Sequence, residues 1–279
     1  MFMWGGLSGG IDSQAAALLM RKTYGEENVI LLNSTAGGWE HPTTTEHIAQ
    51  YNAEVHPVIQ VDAKVSDLWA TEGFAETKGL NGDDNLTMEM LCTIKGRAPS
   101  STRQFCTYYL KLVPMKRWQD ANLRGKEFVR FTGVRRDESP GRANTPDRSW
   151  DDYFDCEVWH VVAGWTKAQC FEFVKQNGEK FNPLYTEGFG RVGCAPCINS
   201  RKEEFMLWAQ RHPETIEKVR QLEAKAGCTF IAPVVPGMTM NFIDDVVAWS
   251  KTDRGGRQQN MFKILNERPS CESRYGLCE

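Results

Sequence analysis

The stretch that decides the fold is Ser8-Gly9-Gly10-Ile11-Asp12-Ser13, which stands between a short apolar run (residues 1–7) and an Ala/Leu-rich run (residues 14–22). The two runs predict a strand followed by a helix. The two glycines let backbone N–H groups converge without obstruction by a Cβ atom, and the positive end of the helix follows directly. This glycine loop (residues 8–13) therefore predicts an anion-binding turn, although an ordinary strand-to-helix turn would have the same outline.

The side chains of the glycine loop add chemistry to this outline. Ser8 and Ser13 offer hydroxyl donors, and Asp12 either caps the helix or helps to hold Mg²⁺ beside a phosphate. The loop is neither a P-loop, which needs Gly-Lys-Ser/Thr, nor the dinucleotide pattern Gly-x-Gly-x-x-Gly. Because Asn is itself a good cap, the sequence alone predicts that Asp12→Asn keeps the fold.

Outward from the loop, strand and helix patterns alternate along the chain. Further strands are predicted at residues 29–33, 55–61, 128–133 and 157–162, and helices at 41–52, 110–123, 166–176, 203–225 and 241–250, with a loop at 135–152. Such alternation predicts a doubly wound α/β fold with a mainly parallel sheet. We assign residues 1–165 to this nucleotide-binding domain and residues 166–279 to a C-terminal helical, cysteine-bearing extension packed on the same site.

Composition excludes several classes of protein. The chain has 279 residues, with 33 Lys and Arg against 36 Asp and Glu and a net charge of −3. This balance argues against bulk electrostatic binding of nucleic acid. With 41% hydrophobic and 25% charged residues, the composition is globular. No apolar run approaches the roughly 20 residues of a membrane span, and the N-terminus lacks a secretory pattern, so we expect a cytoplasmic protein without a membrane partner.

Several blocks of the chain resemble the phosphoadenylyl-sulfate (PAPS) reductase family of the adenine nucleotide alpha-hydrolase superfamily. The glycine loop matches the superfamily's PP-loop pattern Ser-Gly-Gly-x-Asp-Ser at every fixed position. The other blocks are Glu40-His41-Pro42-x-Thr44, Arg103-x-Phe105-Cys106-Thr107-x-x-Leu110-Lys111, Thr132-Gly133-Val134-Arg135-Arg136-Asp137-Glu138-Ser139-x-x-Arg142 and Asn182-Pro183-Leu184-Tyr185-x-x-Gly188-Phe189-x-Arg191-Val192-Gly193-Cys194-x-x-Cys197. The resemblance implies a HUP-like fold that binds ATP with Mg²⁺, or else PAPS or adenylyl sulfate.

Three arginines, Arg135, Arg136 and Arg142, follow the strand predicted at residues 128–133. Ligands of open α/β sheets bind at the carboxyl ends of strands, and guanidinium groups pair well with phosphate or sulfate. A solvated charged loop is the alternative. Lys111, one turn after Cys106, is placed to reach the same anion. The predicted nucleotide-binding residues are Ser8, Gly9, Gly10, Asp12, Ser13, Gly133, Arg135, Arg136 and Arg142, and the predicted catalytic residues are Asp12, Ser13, Lys111 and Arg135.

Nine cysteines are many for a chain expected in the reducing cytoplasm. Cys156 and Cys170 lie among apolar residues and are predicted to be small buried hydrophobes. Cys194-Ala195-Pro196-Cys197 is typical of a redox dithiol, half of a zinc site or half of an iron–sulfur site. Family reductases with a cluster carry a Cys-Cys pair where this chain has Phe105-Cys106. The resemblance therefore implies a [4Fe–4S] cluster on Cys106, Cys194 and Cys197, completed by Cys278 or Cys271, with zinc as the second candidate.

Three functions compete on this basis. The first is an enzyme that cleaves ATP to AMP and pyrophosphate and transfers sulfur to an adenylylated nucleic acid or protein acceptor. The intact loop favours it, because sulfonucleotide-reducing relatives usually carry a degraded loop. The second is a PAPS or adenylyl sulfate reductase that releases sulfite, although the tail Gly276-Leu277-Cys278-Glu279 lacks the reductases' Glu-Cys-Gly-Leu-His. The third is a non-catalytic nucleotide-binding subunit that works with partner proteins in a larger complex. The oligomeric state is left open.

Overall fold

The computed structural model of the protein describes residues 1–72 and 79–252, so Cys271 and Cys278 lie outside the described residues. The strands are β1 (Phe2–Gly6), β2 (Val29–Asn33), β3 (Val58–Gln60), β4 (Phe128–Thr132), β5 (Arg148–Asp151) and β6 (Cys156–His160). They form one sheet in the order β3-β2-β1-β4-β6-β5, in which only β5 runs antiparallel to its neighbour. The predicted mainly parallel α/β fold is confirmed.

The sheet order places a topological switch point between β1 and β4. The chain proceeds outward from β1 to β2 and β3 and then returns to β4 on the other side of β1. Loops that leave β1 and β4 therefore diverge from neighbouring carboxyl ends, where open α/β sheets bind ligands. The glycine loop follows β1, and the arginine-bearing segment follows β4.

The helices are α1 (Ile11–Tyr24), α2 (Pro42–Glu54), α3 (Val65–Glu72), α4 (Met88–Lys95), α5 (Phe105–Thr107), α6 (Val113–Asn122), α7 (Lys167–Gln176), α8 (Lys202–Arg211), α9 (Pro213–Ala226) and α10 (Ile243–Ser250). A π-helical turn, Tyr108–Leu112, joins α5 to α6. Thr166 caps α7 through a capping box. Among the described residues, none of the helices is both long and apolar enough to span a bilayer.

Two local expectations were wrong. The single helix predicted at residues 203–225 is divided at Pro213, because proline lacks an N–H donor and its ring crowds the preceding turn, so it begins α9 instead. The loop predicted at residues 135–152 contains the short edge strand β5. Its alternating exposure and charged residues are typical of an edge strand, where polar side chains discourage further pairing.

Three hydrophobic clusters hold the layers together. One lies between the sheet, α1 and α7, and includes Met3, Leu31 and Phe131. A larger one joins α4 to the C-terminal helices and contains the buried Trp208 and Val219. The third covers the other face of the sheet. Cys156 and Cys170 are buried, as predicted. The division at residue 165 stays a prediction.

Candidate functional site

The glycine loop is closed by the hydroxyl group of Ser13. Ser13 Oγ accepts a hydrogen bond from Ser8 N at 3.2 Å, lies 3.0 Å from Ser8 Oγ and donates to the Gly10 carbonyl at 2.9 Å. Gly9 has a φ of +79°, and a Cβ atom there would lie 2.7 Å from Thr44 Cγ2. Glycine is therefore required at this position by both the backbone conformation and the available space.

Residues distant in sequence form the wall of this loop. The Ile11 N–H, in the first turn of α1, donates to the Tyr185 hydroxyl at 2.9 Å. Asn182 Nδ2 donates to Thr44 Oγ1 at 2.9 Å, and the Thr44 hydroxyl bonds the Val192 carbonyl. Thr44 and Asn182 are fully buried. Sequence reasoning did not assign these residues to the site, since their contacts exist only after the blocks around 44 and 182 have come together.

Three of the predicted nucleotide-binding residues, Asp12, Gly133 and Arg135, lie together in the structure. Asp12 Oδ2 lies 2.8 Å from Arg135 Nε, and their side chains are only 3% and 5% exposed. Arg135 also pairs with Asp137. A Cβ atom on Gly133 would lie 2.7 Å from the carbonyl carbon and oxygen of Asp12. The chain after β4 therefore packs directly against the first turn of α1, at the switch point.

A second buried ion pair adjoins the first. Arg142 pairs with Glu138, and both side chains are buried. Burial raises the pKa of the Glu138 carboxyl, Arg142 opposes the shift, and the charges of Asp12 and Arg191 also act on it. Arg191 is buried as well and was not among the predicted site residues. The two pairs thus form one compact group of charges at the switch point.

The predicted anion-binding residue Arg136 is engaged with another part of the chain. Its Nε donates to the Thr145 carbonyl at 2.7 Å, and its guanidinium pairs with the exposed Asp147. Arg136 therefore fastens the 145–147 segment, whereas Arg135 and Arg142 are buried in the ion pairs beside the glycine loop.

Lys111 and Glu40 form a further buried charged group. Lys111 is 6% exposed on the π-helical turn, and Glu40 is also 6% exposed. Both carboxylate oxygens of Glu40 lack a hydrogen-bond partner within residues 1–72 and 79–252. Burial raises the pKa of the Glu40 carboxyl to about 7, against the opposing charge of Lys111. The Glu40 backbone pairs with that of Cys194, so this group lies beside the Cys-x-x-Cys turn.

The raised pKa of Glu40 predicts that this carboxyl destabilises the fold as pH rises. Its folded pKa of about 7 exceeds the ordinary value of 4.5, so the folded state binds the proton more tightly. The contribution of Glu40 to the free energy of unfolding should therefore fall by about 3 kcal/mol between pH 4.5 and 7. Glu40→Gln stays neutral and should exceed the wild type in urea stability by about that amount at pH 8, but not at pH 4.5. The same change at the exposed Glu46 is the control, and a pH-independent difference for Glu40→Gln would contradict this prediction.

The Cys-x-x-Cys turn is fixed against the segment around Trp39. The Ala195 N–H donates to the Trp39 carbonyl at 3.0 Å, and Trp39 Nε1 donates to the Pro196 carbonyl at 3.0 Å. The Asn199 N–H points at Cys197 Sγ from 3.5 Å. Cys106 and Cys194 both border the larger hydrophobic cluster, and Cys197 is buried. The predicted tail ligands Cys271 and Cys278 lie outside the described residues.

The fold and this site define the class of α/β proteins that carry a PP-loop at the switch point of a parallel sheet. Within that class, the chain belongs to the phosphoadenosine phosphosulfate reductase domain family, whose model matches residues 3–200. It is similar to an uncharacterized 37.8 kDa protein from the gpa 5′ region of Escherichia phage 186, with 29% identity over 98% of this chain and 95% of that one.

Shorter matches reach named enzymes. The chain is 32% identical to an adenosine 5′-phosphosulfate reductase of Allochromatium vinosum, over 41% of this chain and 44% of that protein. It is 44% identical to the Mycolicibacterium smegmatis enzyme of the same name, over 24% of this chain and 29% of that protein. These matches span less than half of each reductase. A crystal structure of a PAPS reductase from Candida auris aligns with a TM-score of 0.47 and 14% identity over 70% of this chain and 81% of that one.

Proposed function

We propose that this protein binds ATP on the glycine loop and cleaves it to AMP and pyrophosphate. An oxygen of the acceptor attacks the α-phosphorus, pyrophosphate leaves, and a sulfur species then displaces AMP together with that oxygen. The intact glycine loop carries this proposal. Ser13 closes it by three contacts, and Gly9 and Gly133 leave room for the adjoining chain. A loop that served only as a turn would not need this combination of hydroxyl groups and close backbone approach.

The glycine loop and the charged residues predicted around it have different roles in the proposed reaction. The backbone of Gly9 and Gly10 and the hydroxyl groups of Ser8 and Ser13 receive the phosphates. Arg135, oriented by its ion pair with Asp12, balances phosphate charge, and so does Arg142. Asp12 supplies the carboxylate for the Mg²⁺ that arrives with ATP. Lys111 provides a further cation, and Arg136 contributes to the surrounding loop.

We propose that Cys106, Cys194 and Cys197 hold a [4Fe–4S] cluster, with Cys278 or Cys271 as the fourth ligand. The N–H directed at Cys197 Sγ and the apolar border of Cys106 and Cys194 fit such a cluster, because N–H···S contacts and low polarity tune these centres. When bound, the cluster would supply electron transfer or a site for sulfur. Zinc on the same cysteines is the second candidate. Iron and sulfide analysis after anaerobic purification decides between them.

The acceptor in this proposal is a nucleic acid or a protein, and the reaction takes place in the cytoplasm, where thiols stay reduced. The second candidate is a sulfonucleotide reductase, which the adenosine 5′-phosphosulfate reductases among the relatives favour. The third is a non-catalytic nucleotide-binding subunit of a larger complex. We retain residues 1–165 as the nucleotide-binding domain and 166–279 as the cysteine-bearing extension.

One assay separates these functions. Reconstituted protein is incubated without oxygen with ATP, PAPS or adenylyl sulfate, each with and without nucleic acid and protein extracts as acceptor sources, and pyrophosphate and sulfite are measured. Pyrophosphate from ATP supports the first function. Sulfite from either sulfonucleotide supports the second, and binding without either product supports the third.

Ser13→Ala tests the loop in the same assay. The change removes the hydroxyl that joins Ser8 to Gly10, so we expect at least a tenfold loss of pyrophosphate release, about 1.4 kcal/mol. Thermal melting should change much less than activity. The exposed Ser101→Ala is the matched control. Wild-type turnover by Ser13→Ala would show that the loop does not position the phosphates.

A further inference from the structure

A second group of metal-ligand side chains lies next to the wall of the glycine loop. Within residues 1–72 and 79–252, His41, His212 and Glu214 place one ligand atom each within 4.8 Å of the others. His41 is the cap residue of α2, and His212 and Glu214 lie at the start of α9. We propose that these three side chains bind a divalent transition-metal ion of the zinc type. This site uses none of the proposed cluster cysteines, although its first ligand follows Glu40, whose backbone pairs with Cys194.

His212 is oriented as metal-binding histidines are. Its Nε2 lies 2.7 Å from Glu187 Oε2, and its Nδ1 lies 3.3 Å from Glu214 Oε1. A proton on Nε2, held by Glu187, leaves the Nδ1 lone pair directed toward Glu214. This is the arrangement in which a carboxylate fixes the tautomer of a histidine ligand.

The spacing between His212 and Glu214 fits two ligands of one ion. Charge-assisted hydrogen bonds between nitrogen and carboxylate oxygen are about 2.7–2.9 Å long, which is shorter than the observed 3.3 Å. Two ligand atoms, each about 2.0–2.1 Å from a tetrahedral zinc ion, are about 3.3–3.4 Å apart. The 3.3 Å separation therefore matches that expected for two ligands of one zinc ion.

His41 supplies the third ligand through Nε2. The residue is 4% exposed, and its Nε2 has no hydrogen-bond partner in the part of the chain that the structure describes. Nδ1 accepts the Thr43 N–H at 3.2 Å, so metal binding at Nε2 would move the ring proton to Nδ1 and replace this contact. One capping bond contributes far less than coordination of a divalent ion, so the exchange favours the metal.

Aromatic rings hold the two histidines in place. The ring centroids of His41 and His212 are 4.4 Å apart, and the Trp208 ring centroid lies 5.3 Å from that of His41 and 5.5 Å from that of His212. The neighbouring cation, Lys218, donates to the Gly38 carbonyl at 2.7 Å. The Glu214 side chain is 65% exposed, which gives an ion a path from solvent and leaves a fourth position for water.

A metal at this site would join three segments around the glycine loop. It would connect the start of α2 to the start of α9 and, through Glu187, to the Pro183–Glu187 turn. Thr44, in the first turn of α2, contacts Gly9 of the loop. The ion would therefore stabilise the wall of the glycine loop.

The test measures metal binding in protein whose cysteine site has first been filled by anaerobic iron–sulfide reconstitution. Wild type, His212→Gln, Glu214→Gln and Glu217→Gln are treated with EDTA, desalted and titrated with Zn²⁺ or Co²⁺. Glu217→Gln is the control, because it makes the same change on the same helix at a half-exposed position. Metal content, thermal melting and the visible difference spectrum are recorded; the difference between Co²⁺-loaded and metal-free protein removes the absorption of the iron–sulfur cluster.

We expect wild type and Glu217→Gln to retain one additional zinc equivalent, to melt at higher temperature with zinc, and to give a Co²⁺ spectrum without a thiolate charge-transfer band. His212→Gln and Glu214→Gln should bind zinc at least tenfold more weakly. Because Glu214 is exposed, its variant should fold and keeps the comparison informative. Equal zinc affinity in all four proteins, no retained zinc in the wild type, or a thiolate band in the Co²⁺ spectrum would overturn the proposal.

Discussion

Gly133→Ala is expected to lower pyrophosphate release from ATP at least a hundredfold, about 2.7 kcal/mol of transition-state stabilisation. The added methyl group would lie 2.7 Å from the carbonyl carbon and oxygen of Asp12 and 2.8 Å from the nitrogen of Ser13. These are backbone atoms of the first turn of α1, which cannot rotate away as a flexible side chain can. The glycine loop must therefore shift, and the overpacking should also cost about 1–3 kcal/mol of unfolding free energy.

Gly141→Ala is the control for this substitution. Gly141 lies in the same segment after β4, but the nearest atom to a methyl group added there would be Ser139 Oγ at 3.9 Å, and its φ is not in the left-handed region. We expect nearly wild-type activity and stability. Pyrophosphate release at saturating ATP and urea unfolding measure both effects. Full activity in Gly133→Ala would show that the contact between the two loops has no part in the reaction.

The fold could be predicted because its signals are local. Glycines in a strand-to-helix turn and apolar runs on both faces of a strand are visible without knowledge of the partners. Strand β5 was not predicted, because a short edge strand with charged residues has the composition of a loop. The break at Pro213 was visible in the sequence, but the helical pattern on both sides outweighed it.

The candidate site could be predicted only in part, because only some of its features are local in the sequence. Asp12, Gly133 and Arg135 could be singled out because charged residues and glycines at the ends of strands indicate a ligand site, and the structure brings them together. Their role in binding a ligand stays a prediction. Glu40 and Tyr185 were missed, because their importance comes from tertiary contacts between segments far apart in sequence. Residue type alone also could not distinguish Arg135, which pairs with Asp12, from Arg136, which donates to the Thr145 carbonyl.

The Asp12–Arg135 ion pair changes the expectation for Asp12→Asn. As a helix-start residue, Asp12 should be replaceable by Asn without loss of stability. The structure instead places its carboxylate 2.8 Å from the buried Arg135 guanidinium, so Asp12→Asn would remove one charged partner of this arginine. Removing one member of a buried pair typically costs about 3 kcal/mol or more, so Asp12→Asn should be clearly destabilised. The sequence predicts that this variant keeps the fold, and the buried ion pair adds the expectation of a measurable loss of stability.

A double-mutant cycle separates the structural role of this pair from its role in turnover. We expect Asp12→Asn, Arg135→Gln and the double variant to show a coupling energy of about 1–3 kcal/mol in urea unfolding. All three should lose at least tenfold in pyrophosphate release per folded molecule, about 1.4 kcal/mol.

Asp151→Asn is the matched control for this cycle, because Arg130 and Asp151 form another buried pair, 2.7 Å apart, on strands β4 and β5. It should lose comparable stability but keep its activity per folded molecule, because neither residue belongs to the glycine loop or to the charges around it. If the Asp12 and Arg135 variants behaved like Asp151→Asn in both measurements, their ion pair would serve the fold alone. The charge beside the first turn of α1 would then have no part in the cleavage of ATP.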